Sequence, residues 1–317
     1  MAFKYGFQSK VGFGEESTYG TAVAPSDWCE FISESVKETY EKRASQGING
    51  TSMAKKFLSL GRSVAGDVAF EVNPDDVIGM ILKAFFGAAP TSAQVGTTSY
   101  YTHTFKGADD WIADGVAGCG LTCQITRDDV AWDYSGCLPS GINLVSAVGD
   151  TLKATVSLVG QKGASQGSPT AASYSTQNPF IFHQGVVTRG GSPISVTNFQ
   201  LKMDNGVKAD TYLLGQNYIK RPARGMRAIS GQVEMFFEDS NIYNAFTGNT
   251  DDSIVLTFTS GSYSLTITMS KVYFTNNPTP NVSNAGVITY TAPFTSIYKD
   301  ATDQDIKIAL VNTATSI

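Results

Sequence analysis

Apolar and polar side chains alternate with a period of two over most of the chain. Leu152, Ala154, Val156 and Leu158 point one way, and Ile254/Leu256/Phe258, Leu265/Ile267/Met269 and Ile306/Ile308/Leu310 repeat the pattern. A strand with one buried and one wet face requires this spacing. Helical spacing is confined to two short stretches. Val77, Ile78, Ile81, Leu82 and Phe85 form a stripe that predicts a helix over about 74–86, with Asn73-Pro74-Asp75-Asp76 as its cap and Gly87 as a left-handed stop. Ile242, Ala245 and Phe246 predict a second helix over about 240–247, with Asp239 and Ser240 as cap candidates and Gly248 as the stop. Phe199, Leu201 and Met203 run into Asp204-Asn205-Gly206, which predicts a tight hairpin turn before Val207. The expected class is all-β with small α content.

The two helices belong to an internal repeat. GRSVAGDVAFEV from Gly61 returns as MRAISGQVEMFF from Met226, so that Arg62, Gly66 and Val68 match Arg227, Gly231 and Val233 at an offset of 165. The same offset aligns Lys37 with Lys202, Gly50 with Gly215, Lys55 with Lys220 and Lys56 with Arg221. Val64/Ile229, Phe70/Met235, Val72/Phe237 and Val77/Ile242 keep apolar character, as two copies of one half-buried unit should. The Gly-, Ser- and Pro-rich stretch between 160 and 180 reads as an exposed connection. It divides the chain into a first domain, 1–175, with an N-terminal arm at 1–27, and a second domain, 176–317. Each repeat also carries a long basic segment before its matched strand, 42–60 and 207–225. Loops of that length inside compact domains tend to dock on something.

Composition removes several alternatives. No apolar run reaches the length of a membrane span, and MAFKYGFQSK lacks the apolar core of a signal peptide, so the product is expected to stay in the cytoplasm where it is made. A net charge of −5 with scattered Lys and Arg does not suit a surface that grips phosphate. Cys29, Cys119, Cys123 and Cys137 lack zinc spacing and read as small buried thiols. His103 and His183 stand beside no nucleophile motif, VGFGEES lacks the Lys-Ser/Thr of a phosphate loop and reads as a turn, and Asp300, Asp303 and Asp305 lack the glycine and terminal glutamate of a calcium loop. No enzyme, cofactor or metal is expected.

GFGEESTYGTAVAPSDWCEFISESVK, Gly12 to Lys37, resembles the opening of tail tube proteins of tailed bacteriophages, at Gly14, Glu15, Glu16, Tyr19, Gly20 and Thr21 and then Phe31, Glu34 and Ser35. The Gly61–Gly66, Tyr101–Phe105 and Leu152–Val156 segments follow in the family's order. The resemblance implies tandem β-sandwich domains of tail-tube type, each with one flanking helix, and a structural virion protein. Such subunits form stacked rings around a channel for double-stranded DNA during ejection, so two domains per chain imply a trimeric ring of approximate sixfold symmetry. The implied partners are further copies of the chain, a terminator, a baseplate or tip, a sheath and a tape measure, with no membrane. The expected contacts between subunits or rings are Tyr19, Lys42, Arg43, Lys55, Lys56, Phe57, Leu58, Lys208, Tyr212, Leu213, Tyr218, Lys220 and Arg221. Asp67, Glu71 and Glu234 are candidate acids for the channel wall or the outer surface. The alternatives are another virion β-protein, such as a terminator or capsid decoration protein, and a carbohydrate-binding β-sandwich.

Overall fold

A computed structural model describes residues 3–48, 50–107, 120–166, 169–280, 282 and 285–317. The first repeat runs through β1 (Lys10–Glu16), β2 (Asp27–Cys29), β3 (Phe31–Glu34), β4 (Lys37–Ala44), β5 (Phe57–Glu71) and α1 (Ile78–Phe86). After a hairpin of β6 (Thr91–Gln94) and β7 (Tyr101–Lys106) come β8 (Gly120–Arg127), β9 (Val130–Ala147), β10 (Lys153–Gly160) and β11 (Lys162–Gln166). The second repeat has β12 (Gly185–Arg189), β13 (Ser192–Pro193), β14 (Val196–Asp204), β15 (Ala228–Phe236) and α2 (Asn241–Gly248). It closes with β16 (Asp252–Ser260), β17 (Tyr263–Phe274), β18 (Thr289–Ser296) and β19 (Lys307–Asn312). The chain is all-β with small α content, as its alternation predicts.

The repeat holds at the level of individual hydrogen-bonded partners. Lys37 faces Ala65 and Lys202 faces Ser230; Glu34 faces Val68 and Phe199 faces Val233. Even the irregularity between Phe31 and Ser33 recurs between Val196 and Asn198. Most of the other strand pairings within the first unit have counterparts. β1 pairs with β2 and β8 as β12 does with β13 and β16, and β8–β9 matches β16–β17. The β9–β10, β10–β5 and β11–β9 pairs match β17–β18, β18–β15 and β19–β17. Three pairings have no counterpart: the β6–β7 hairpin, β9 with β14, and β7 with β19. The last two tie one half of the chain to the other.

The β9–β14 pair makes β5, β10, β9, β14, β15 and β18 one continuous antiparallel sheet. Cross-strand neighbours share a face, so register sorts the side chains. One face is apolar, with rows such as Phe70, Ala154, Leu144, Leu201, Gly231 and Phe294, all but Gly231 buried. The other is small and polar, with rows such as Ala69, Thr155, Asn143, Lys202, Ser230 and Thr295.

Local expectations fared unevenly. α1 starts at Ile78, not near 74, because the Asn73 side chain serves a turn instead of a cap, accepting from Asp75 N at 3.1 Å and donating to Gln177 O at 2.5 Å. Gly87 is the left-handed stop at φ 69°, but in α2 Gly248 is still helical and Asn249 takes the left-handed position. Ser240 occupies the cap position of α2 without a side-chain cap bond. VGFGEE is strand β1, not a turn. Gly12 and Gly14 lie under the returning chain, where a Cβ would meet Trp28 at 2.8 Å and Ala24 O at 2.6 Å. Asn205-Gly206 closes no tight hairpin, because Asn205 is buried and donates to Phe85 O at the end of α1, and the chain makes an excursion to Ala228 before pairing back. The strand expected from Gly61 begins at Phe57, and β4 reaches Ala44, so the first long loop is 45–56. Val72 is buried while its partner Phe237, packed on Tyr290, is 41% exposed.

Candidate functional site

The opening segment acts as an internal staple. Glu16 is buried on β1 and accepts from Gly20 N at 2.6 Å, Thr122 Oγ1 at 2.9 Å and Gly136 N at 2.7 Å. Burial pushes its carboxyl above the usual range, against the pull of those donors. The turn that Glu16 holds lets the Tyr19 hydroxyl donate to Gly136 O at 2.6 Å, while Glu15 pairs with Lys83 on α1 at 2.7 Å. Burial raises the Tyr19 phenol as well.

Tyr19 also marks where the second repeat touches the first. The 207–225 segment folds back on itself, with Lys208 paired to Ala223 and Tyr212 to Ile219, and lies against the first repeat. Arg62 N donates to Asn217 O at 2.8 Å, and the Tyr212 hydroxyl donates to Arg62 O at 3.3 Å. Gln161 Nε2 donates to Lys220 O at 2.8 Å. The Tyr218 ring receives the guanidinium of Arg62 at 5.8 Å and the ammonium of Lys162 at 5.5 Å, and Arg221 sits 5.3 Å over Tyr19. Arg224 donates to Ala84 O at the end of α1. Gly61 makes room for Tyr212: a Cβ there would lie 3.0 Å from the ring. Leu213 stays exposed at the loop tip.

The first loop behaves differently. Residues 51–60 are all exposed, including Lys55, Lys56, Phe57 and Leu58; Lys42 and Arg43 are exposed on β4, with Lys42 over the Tyr40 ring at 5.3 Å. The sequence singled out both segments as docking loops but not the receiving surface of Gly61, Arg62, Gln161 and Lys162. The strand assigned to Gly61 and Arg62 carried no sign of an inter-repeat contact, and Gln161 fell in the stretch read as a connection.

The three acids converge on the polar face of the joined sheet. Asp67 accepts from Ser157 Oγ at 2.6 Å, Glu71 from Thr151 Oγ1 at 2.7 Å, and Glu234 shares the face with Gln232. Gln232 donates to Gln200 at 3.1 Å, and Gln200 donates to Asn143 at 3.2 Å, a ladder that crosses the β9–β14 joint. Asp67, Glu71, Asp204 and Glu234 stand among Lys37, Lys153 and Lys202, so the face is close to neutral.

Groups that suggested chemistry are engaged in structure. His103 is buried on β7, with Nδ1 2.8 Å from Ser92 Oγ and Nε2 3.0 Å from Asn312 Oδ1 and 2.9 Å from Ala314 O. Two acceptors at Nε2 assign the proton there and make Ser92 the donor to Nδ1. His183 lies in a single helical turn against Phe182. Cys29, Cys123 and Cys137 are buried thiols raised by desolvation; Cys119 lies outside the described residues. Asp303 holds Lys299 and Lys307, which with Ser270 lower its carboxyl to about 2, and Asp305 pairs with Arg227. Asp300 accepts from Thr302 N and Asp303 N within a turn.

No helix among the described residues is long and apolar enough to cross a membrane. No curated protein matches the chain. A family model described as phage tail tube protein matches residues 6–296, nearly the whole length. With its β-rich repeats, inter-repeat sheet and structurally engaged polar groups, the chain belongs to the phage tail tube protein family, the non-enzymatic structural proteins of the virion tail.

Proposed function

We propose that three copies of this chain form a ring, each giving two tube domains, 1–175 and 176–317, and that stacked rings make a channel through which double-stranded DNA leaves the virion. The observation that carries this reading is the β9–β14 joint. In it the sheet of one repeat continues into the next with no change of chemistry, which supports the same joining between copies, and an open edge remains at each end. β4 pairs with β5 alone among the described residues. β18 has β15 along its length but β17 only at Phe294–Ser296, whereas its counterpart β10 is flanked on both sides. Joining such edges around a closed ring removes them from uncontrolled pairing.

The near-neutral polar face of the sheet, with Asp67, Glu71 and Glu234, then lines the lumen. Few clustered cations means few released counterions, so DNA slides without being held. A terminator, a baseplate or tip, a tape measure and, in contractile tails, a sheath meet this tube at its ends, interior and outer wall. Electron microscopy of the purified chain tests the reading. Stacked rings with threefold symmetry and six similar lobes are expected, and monomers at every concentration would refute it. Carboxyl labelling that leaves Asp67, Glu71 and Glu234 as reactive in tubes as in free subunits would remove them from the lumen.

A further inference from the structure

The docked 207–225 loop has a counterpart that reaches past the chain. At the offset of 165, residues 45–56 correspond to 210–221, and both loops turn on a left-handed glycine, Gly50 at φ 76° and Gly215 at φ 90°. The surface that receives the second loop also has a counterpart. β10 and β18 are related by an offset of 136, from Ala154 opposite Phe70 to Tyr290 opposite Met235. Gly61, Arg62 and Gln161 therefore correspond to Met226, Arg227 and Ile297. Those three residues, together with Ala228, Ile229, Thr295, Ser296 and Tyr298, line a largely apolar surface cavity of about 540 Å³.

The side chains have been exchanged in complementary fashion. On the first repeat, Gly61 leaves room for the Tyr212 ring. On the second, Met226 is 91% exposed, and the loop residue that would face it is Gly47. Where Tyr218 receives the Arg62 guanidinium, the corresponding pair is Met53, 75% exposed, and Arg227, and the cavity that Arg227 lines also presents Tyr298, 49% exposed; a thioether facing that aromatic is an attractive contact. At Gly61/Tyr212 and Met226/Gly47 large faces small, with the sides reversed.

We propose that the 45–56 loop docks laterally into the Met226–Ile229 and Thr295–Tyr298 cavity of a second copy of this chain, with Met53 against Tyr298. The occupant is a neighbour in the same ring, because the docked loop in the chain is a lateral contact between adjacent repeats and the β4 edge carries the first loop as the β14 edge carries the second. This rests on the ring reading above and gives it a direction: each repeat clasps the one before it.

Mixing a Met53→Cys chain with a Tyr298→Cys chain tests it. Under mild oxidation the mixture should give a disulfide-linked dimer that neither chain yields alone, and a Tyr243→Cys chain should not replace Tyr298→Cys. Rings that form without this cross-link overturn the docking while leaving the ring reading intact; failure of the wild-type chain to form rings overturns the ring reading itself. Trypsin gives a second measurement on unmodified protein. Cleavage after Lys55 and Lys56 should fall at least roughly tenfold in isolated rings relative to free subunits, the ratio expected when opening is rare. Protection that appears only after rings stack would overturn lateral docking and make the loop a bridge between rings.

Discussion

Replacing Gly66 by alanine should destabilise the subunit by about 2–4 kcal/mol through two separate costs, a left-handed backbone and an overfilled core. Gly66 has φ 153°, and a Cβ there would lie 2.5 Å from Val36 Cα and 2.6 Å from the Ser35 carbonyl. These are backbone atoms at the bend between β3 and β4, so no rotamer change relieves the contact. Its partner Gly231 lacks the positive φ, but its Cβ would meet Phe294 Cζ and Gln200 O, each at 2.5 Å. The Phe294 ring is fully buried. Gly231→Ala should therefore cost about 1–3 kcal/mol from overpacking alone. Gly215→Ala is the control: its φ is 90° but nothing lies within 4 Å, so only the conformational cost of about 1 kcal/mol applies. Thermal melts of the free subunit at fixed concentration read the difference, with Gly66→Ala expected about 5–10 °C below wild type at roughly 2–4 °C per kcal/mol. A Gly66→Ala melt no lower than that of Gly215→Ala would refute the reasoning.

Three further outcomes follow from the same structure. In free subunits trypsin should cut first after Lys55 and Lys56, and Tyr218→Ala should expose Lys220 to comparable cleavage, read by mass spectrometry of early fragments; unchanged cleavage at Lys220 would mean that the ring does not hold the loop. His103→Leu should cost about 2–3 kcal/mol in urea titrations, because Asn312 Oδ1 and Ser92 Oγ lose a buried partner. Burial lifts the Asp76 carboxyl to about 7, with Asp27 and Glu30 adding to the shift and Val77 N opposing it. The folded chain thus holds a proton that the unfolded chain loses above about 4, and stability should fall as pH rises from about 4 to about 7. After allowance for partial solvation the fall is about 1–2 kcal/mol. Asp76→Asn should flatten it, and a melt with the same pH slope as wild type would exclude Asp76 as the source.

The alternating strands and the repeat were legible because both are local or in-register signals: Leu152 to Leu158 bury one face wherever their partners lie, and an offset of 165 needs no knowledge of the fold. Lys220 was legible as a contact candidate for a similar reason, since Lys55 and Lys220 recur in place with Gly50 and Gly215. What it touches was not. Gly61 looks like the plain start of a strand until Tyr212 is seen above it, and Asn205 looks like half of a hairpin turn until its amide reaches the end of α1. Gly12 and Gly14 suggested a turn for the same reason, whereas in the structure they admit Trp28 and Ala24 over a strand. Such residues are defined by a partner far away in sequence, and no window along the chain contains that partner.

The β7–β19 pair joins residues 101–106 to 307–312. During synthesis the first of these segments emerges long before the second, and until Asn312 has been made one edge of β7 has no strand beside it. His103 on that strand likewise waits for Asn312 and Ala314. Long-range β-pairing of this kind is slow and leaves incomplete chains prone to stray association. The pair therefore works as a length check: a chain that stops short keeps an unfinished edge and an unsatisfied buried imidazole, and only one that extends through Asn312 can offer the tail a finished subunit.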